Sequence, residues 1–137
     1  MNRPKRPCYC YNLRRAANTV AAFYDRAMQE TGLTIAQFLL LSNLDREKPV
    51  SVSELASFVE LDRTTVVRTM KPLMEKGYIL DLADEGARDR RLVLSGEGWQ
   101  VMKQGEEKWI ESQAGIEEKI GAQKAGELIM LLKQLTE

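Results

Sequence analysis

Residues 51–79 read SVSELASFVELDRTTVVRTMKPLMEKGYI, and the polar residues in this stretch mark where helices begin. Ser51 and Glu54 have the spacing of a capping box, in which each side chain accepts a hydrogen bond from the backbone N–H of the other residue. The apolar positions that follow predict a short helix over 52–59.

A second helix follows after only a few residues. Asp62 is a preferred N-cap residue, so the next helix is predicted over 63–76, and Gly77 is of the type that commonly ends a helix. Two helices joined by so short a connection are typical of a helix-turn-helix.

The second helix has an apolar and a polar side. With Val66, Met70 and Leu73 facing inward, a rotation of about 100° per residue turns its polar residues outward. Threonine can contact a base edge or a thymine methyl group, arginine can pair with guanine, and lysine can reach phosphate. Backbone N–H groups at the helix start also favour phosphate. The candidate DNA-contacting residues here are Arg63, Thr64, Thr65, Arg68 and Lys71. A solvated helix face without a ligand is the alternative for this helix taken alone.

The next stretch, DEGARDRRLVLSGEG at 84–98, favours the interpretation that the helix-turn-helix binds DNA. Residues 78–82 and 92–94 have the composition of strands, and the polar turn between them contains glycine, which together predict a β-hairpin. A basic hairpin directly after a helix-turn-helix is the wing of a winged helix, and its arginines can enter the minor groove. The candidate wing residues are Arg88, Arg90 and Arg91.

Further helices are predicted on both sides of this unit. An apolar stripe predicts a helix over about 10–30, and Thr34 with Gln37 forms a capping box for the next. Two more stripes predict helices from 98 to the chain end, with a break at Gly121. The fold class is therefore α+β, mostly α, with a winged helix-turn-helix at its centre.

The organisation that we predict is a single domain over 1–137. Its DNA-binding part covers 32–95, and the helices at 8–31 and 96–137 are expected to form the interface of a homodimer. Two recognition helices about one DNA turn apart would then meet a two-fold operator.

The composition limits the chemistry that the chain can perform. Its 137 residues include 20 basic and 20 acidic side chains but no histidine, the commonest general base and metal ligand. A Ser-His-Asp or Cys-His enzyme is excluded, and neither a metal nor a cofactor is indicated. We therefore expect a protein that is not an enzyme. Residues 1–96, which include the predicted DNA-binding face, hold 15 basic and 12 acidic side chains, so this part of the chain has a net positive charge.

The cysteines and the hydropathy indicate a cytoplasmic protein. Cys8 and Cys10 are the only cysteines, too few and too close together for a disulfide framework, which suits a reducing compartment. No run of about 18 apolar residues occurs, so no membrane span is predicted.

The two quoted segments resemble the MarR family of bacterial transcription regulators, and the resemblance extends over about 10–135. The wing motif Asp-x-Arg of the family corresponds to Asp89 and Arg91, which implies that Asp89 supports the wing. Ser95 stands where the family usually has threonine, a change that preserves a helix cap. The resemblance implies a winged-helix homodimer that binds palindromic double-stranded DNA, most often as a repressor, and is released by a ligand or an oxidant.

Two kinds of effector remain open at this point. One is a small phenolic or aromatic molecule bound in a cleft between the dimerisation and DNA-binding parts. The other is an oxidant, because the first helix resembles that of the organic-hydroperoxide sensors of the family. In that resemblance Cys10 falls on the reactive cysteine and Tyr24 on a tyrosine beside it, although Arg14 and Ile35 stand where those sensors have two further tyrosines. A winged-helix module that binds a protein instead of DNA is the alternative from another functional class.

Overall fold

The computed structural model describes residues 6–137, and within that range the chain forms six α-helices, one 3₁₀ turn and one two-stranded sheet. The helices are α1 Tyr9–Ala27, α2 Ile35–Ser42, α3 Val52–Val59, α4 Arg63–Glu75, α5 Gly96–Ile120 and α6 Ala122–Thr136. The strands are β1 Ile79–Asp81 and β2 Leu92–Leu94, and the 3₁₀ turn is Gln29–Thr31.

The helix starts follow the capping pattern of the sequence. Both predicted capping boxes form, at the starts of α2 and α3. Asp62 Oδ1 accepts the Thr65 N–H at 2.8 Å at the start of α4, and Ser95 Oγ accepts the Gly98 N–H at 2.9 Å at the start of α5. These bonds satisfy N–H groups that have no partner inside the helix, so each helix begins at a defined residue.

The two strands form the predicted hairpin. They pair antiparallel, with Ile79 opposite Leu94, Leu80 opposite Val93 and Asp81 opposite Leu92. Val50, in the connection between α2 and α3, bridges to Leu92 through two backbone hydrogen bonds of 2.8 and 3.1 Å. The base of the hairpin is thereby fixed to the helix-turn-helix, and its tip projects beyond the paired residues.

The hydrophobic core lies between α2, α3, α4, the sheet and the first part of α5. The inner side predicted for α4 is confirmed, since Val66, Met70 and Leu73 are all buried. Other members of the core are Leu40, Leu41, Leu55, Ile79, Leu92 and Val101.

The terminal helices are packed differently. With 25 residues, α5 is about 37 Å long and therefore extends well past the core. It runs beside α1, and Gly121 separates it from α6, as predicted. Neither α1 nor α6 has a buried residue. Among the described residues, no helix has the length and hydropathy needed to cross a membrane.

Candidate nucleic-acid interface

The outward side of α4 is the larger part of the candidate interface. Thr64, Arg68 and Lys71 are exposed on this helix, opposite the buried side that packs on α2 and α3. The structure therefore gives these three side chains the outward orientation that the helical period predicts. They offer a hydroxyl group, a guanidinium group and an ammonium group on one continuous surface.

Two residues at the start of α4 are engaged within the chain. Arg63 is exposed, but its Nη1 donates to Ser53 Oγ at 3.0 Å and so links the first turns of α3 and α4. Thr65 is half-buried, and both its N–H and its hydroxyl donate to the Asp62 carboxylate at 2.8 Å. The N–H bond and then the hydroxyl bond hold the pKa of Asp62 below its usual range. Thr65 therefore completes the helix cap, and the DNA contact predicted for it stays a prediction.

Asp81 organises the wing. Its Oδ1 accepts the backbone N–H groups of Ala83 at 2.9 Å and of Arg91 at 3.1 Å, so it holds both arms of the hairpin. Its Oδ2 accepts from Arg90 Nη1 at 2.7 Å, and Arg90 Nη2 also donates to the Ala87 carbonyl at 2.6 Å. Burial alone would raise the pKa of Asp81, but these donors outweigh burial and hold that pKa below its usual range.

This arrangement bears on two of the residues predicted for the wing, Asp89 and Arg90, whose roles stay predictions. Asp89, which the family resemblance makes the supporting residue, is exposed, and the bonds that hold the hairpin run to Asp81 instead. The register explains the difference, because Asp81 pairs with Leu92 and so lies directly beside the start of the second arm. Arg90 is bound inside the wing, whereas Arg88 and Arg91 have exposed side chains that are directed to solvent.

The helices α1, α5 and α6 leave a wide apolar groove between them. The groove has a volume of about 570 Å³ and is lined by Leu13, Val20, Ile116, Leu128 and Leu132, among others. Leu13, Val20 and Leu128 are exposed, as are Ile129 and Leu135 farther along α6. Apolar surface of this extent on two helices is typical of a protein–protein contact.

Cys10 and Tyr24, the candidate redox pair, do not meet within one protomer. Both lie on α1 and are separated by 14 residues, or roughly 21 Å along the helix axis. Cys8 caps the helix through its Sγ, which accepts the Tyr11 N–H at 3.5 Å, and both cysteines are free and exposed. Tyr24 instead donates its hydroxyl to Gln113 Oε1, and burial, followed by the charge of Glu117, raises its pKa.

A smaller cleft of about 340 Å³ lies between α2 and α5, where the DNA-binding part meets the long helix. The rings of Phe38 and Trp109 form its apolar floor, with centroids 6.3 Å apart, and Lys103 and Glu106 stand at its rim. This is the place expected for an effector. The sequence alone does not single out these residues, because an aromatic residue on an amphipathic helix has the same spacing whether it fills a core or lines a cleft.

The amino-acid sequence matches the family model described as MarR family over residues 33–93, from the end of the 3₁₀ turn into β2. The HTH-type transcriptional regulator YwoH of Bacillus subtilis, itself uncharacterized, is 26% identical over 87 residues. That match covers 64% of this chain and 64% of YwoH, slightly less than two thirds of the length of this curated relative.

Solved structures extend the likeness to the terminal helices. The transcriptional regulator MosR of M. tuberculosis, solved in complex with DNA, is 30% identical, with a TM-score of 0.78 over 95% of this chain and 96% of MosR. CouR from Rhodococcus jostii RHA1, solved with bound p-coumaroyl-CoA, is 17% identical, with a TM-score of 0.75 over 93% of this chain and 91% of CouR. The likeness to CouR is one of fold alone.

Proposed function

The chain belongs to the MarR family of transcription regulators, and from this membership we propose that it binds a two-fold operator in double-stranded DNA as a homodimer. It acts in the bacterial cytoplasm as a repressor, and a small phenolic or aromatic ligand releases it from the operator. The single observation that carries the DNA-binding proposal is the outward row on α4, where Thr64, Arg68 and Lys71 are all exposed beside the wing.

The roles of the side chains follow from their chemistry. Arg68, on the second turn of α4, has the planar donor pair that guanine accepts in the major groove. Lys71 follows one turn later and supplies charge for a phosphate. On the wing, Arg88 and Arg91 are exposed, and a guanidinium group suits the negative potential of a narrow minor groove. Arg90 and Asp81 keep the wing in shape through their bonds to each other and to the hairpin backbone.

The exposed apolar groove supports the homodimer. In an isolated protomer the apolar side chains of α1 and α6 would be exposed to water, which is unfavourable in free energy. The same surface of a second copy would cover these side chains and remove them from water. A two-fold axis through this surface would relate the two α4 helices, as a palindromic operator requires.

The cleft between α2 and α5 supports the ligand-released mechanism. Its floor of Phe38 and Trp109 suits an aromatic ring, and its position between the two parts of the chain lets a ligand alter the angle of α4 relative to α5. CouR, which is similar to this chain in fold, was solved with bound p-coumaroyl-CoA. A response through Cys10 is less favoured, since within one protomer Tyr24 lies far from it along the same helix and donates its hydroxyl to Gln113 instead.

Selection from a random duplex library with the full-length protein tests the proposal. We expect a roughly palindromic site whose affinity falls steeply with salt, because phosphate contacts release counterions. Arg68→Ala should weaken binding to that site by about 1–3 kcal/mol, or roughly 5- to 150-fold, and relax the preference at one base pair in each half-site. Lys133→Ala removes another exposed positive charge, at the far end of α6, and is the matched control.

Two outcomes would contradict the proposal. If the selection enriches no sequence, the protein is not a sequence-specific regulator. If Arg68→Ala weakens operator and random DNA equally, or no more than Lys133→Ala does, then Arg68 does not read a base.

A further inference from the structure

One side chain on the outward side of α4 is apolar. Val67 is 43% exposed, although its neighbours Val66 and Met70 on the same helix are buried. At about 100° per residue, Val67 lies within roughly 60° of Thr64 and 40° of Lys71 around the helix axis. It therefore belongs to the edge of the same surface that carries the polar contacts.

The fold does not account for a valine at this position. Val67 is not a member of the buried core, and a β-branched side chain loses rotamer freedom in a helix, which partial burial at 43% exposure offsets only in part. A lysine, glutamine or alanine would favour the helix more on an exposed face. The apolar character of residue 67 is thus explained better by something that α4 meets outside the chain.

The surface that α4 is proposed to meet offers one apolar group. In the major groove, the only methyl group is that on C5 of thymine, and aliphatic side chains recognise it by van der Waals contact and by excluding water. We propose that Val67 recognises a thymine methyl group in each half-site of the operator. This inference rests on the proposed function and adds a specificity contact of a different chemistry from the hydrogen bonds of Arg68.

The test replaces thymine by uracil, one position at a time, in the selected operator. Uracil pairs with adenine as thymine does and lacks only the C5 methyl group. For the wild-type protein, we expect one position in each half-site to respond. Uracil at that position should weaken binding about fourfold when one half-site is changed and about 15-fold when both are changed, because each lost contact removes about one methyl group from an apolar environment.

The same duplexes are then measured with variants. Val67→Ala, whose one methyl group lies closer to the helix axis, should lose most of the preference for thymine over uracil, whereas Val67→Thr, which keeps a γ-methyl group and the shape of the side chain, should retain more of it. Leu61→Ala is the matched control, because Leu61 is an apolar residue of similar exposure, 45%, in the turn before α4. It should discriminate as the wild type does, and thermal unfolding of each variant verifies its fold.

The outcomes separate this inference from the proposed function. If the wild-type protein binds its operator but tolerates uracil at every position, the role proposed for Val67 is wrong and the proposed function stands. The same conclusion follows if Val67→Ala keeps the full preference for thymine. Failure to select any operator overturns both proposals, and a preference for thymine that is largely lost in Val67→Ala supports both.

Discussion

Replacing Gly98 by alanine should destabilise the junction between the wing and α5, even though alanine favours helices. Gly98 is buried in the first turn of α5, and a Cβ atom there would lie 2.3 Å from the Tyr78 carbonyl oxygen and 3.0 Å from Leu94 Cδ1. The same carbonyl accepts the Ser95 N–H at 3.0 Å, so it cannot retreat without loosening that hydrogen bond.

Three effects set the expected magnitude. Alanine in a helix gains up to about 1 kcal/mol over glycine. Overpacking costs about 1–3 kcal/mol, and the upper end applies because the obstacle is backbone and cannot change rotamer. A weakened backbone hydrogen bond costs about 1 kcal/mol more. The free energy of unfolding should therefore fall by about 2–3 kcal/mol, which for a chain of this size lowers the melting temperature by roughly 5–10 °C.

Gly96→Ala is the matched control, two residues earlier in the same turn. A Cβ atom at Gly96 would meet only the end of the Arg46 side chain, 3.3 Å away at Nη2, which is free to swing aside. Its effect should lie between no change and the helix-propensity gain of up to about 1 kcal/mol. Both variants are compared with the wild type by thermal unfolding at one protein concentration, because dimerisation makes the melting temperature depend on concentration. A Gly98→Ala protein as stable as Gly96→Ala would refute the reasoning.

Three further predictions concern the wing, the pH dependence and the dimer. Asp81→Ala should release Arg90 and the backbone of the second arm, so amide hydrogen exchange at 82–91 should quicken and operator affinity should fall; unchanged exchange would show that another contact holds the wing. The pKa of Asp62 is lower in the folded state than in the unfolded state, where it is near 3.9. The cap of Asp62 therefore stabilises α4 fully at a pH above the unfolded-state pKa, and this stabilisation is lost as the pH falls through the folded-state pKa. The difference in unfolding free energy between wild type and Asp62→Ala should accordingly be constant above about pH 5 and shrink below about pH 4, and a difference that grows on acidification would contradict this sign. Removal of residues 122–137 should yield monomer or aggregate in sedimentation, whereas a clean monomer from the full-length chain would refute the interface.

The sequence by itself determined the helices, the hairpin and their order. Helix starts depend on bonds between residues three apart, such as Asp62 with Thr65, so the local sequence is sufficient to predict them. The outward orientation of Arg68 and Lys71 follows from the helical period once the apolar side of α4 is identified. The winged-helix arrangement then follows from the short connections between these elements.

Only the tertiary structure decided which carboxylate supports the wing. The sequence offers Asp81, Asp84, Glu85 and Asp89 near the arginines of the hairpin, and the resemblance to the MarR family implies Asp89. Strand register brings Asp81 against Leu92, and therefore against Arg90 and Arg91, which are distant from Asp81 along the chain. Register depends on how two separate segments align, and that alignment is fixed partly by the bridge to Val50.

The tertiary structure also decided which apolar stripes are buried within the protomer. The stripes of α4 and of α6 have the same helical period, yet Leu73 is fully buried and Leu135 is 68% exposed. An amphipathic pattern requires a partner surface but does not say whether that surface belongs to the same chain or to another copy. For α4 the chain supplies α2 and α3, and for α6 it leaves an open groove, because burial is a property of the assembled elements and not of any one of them.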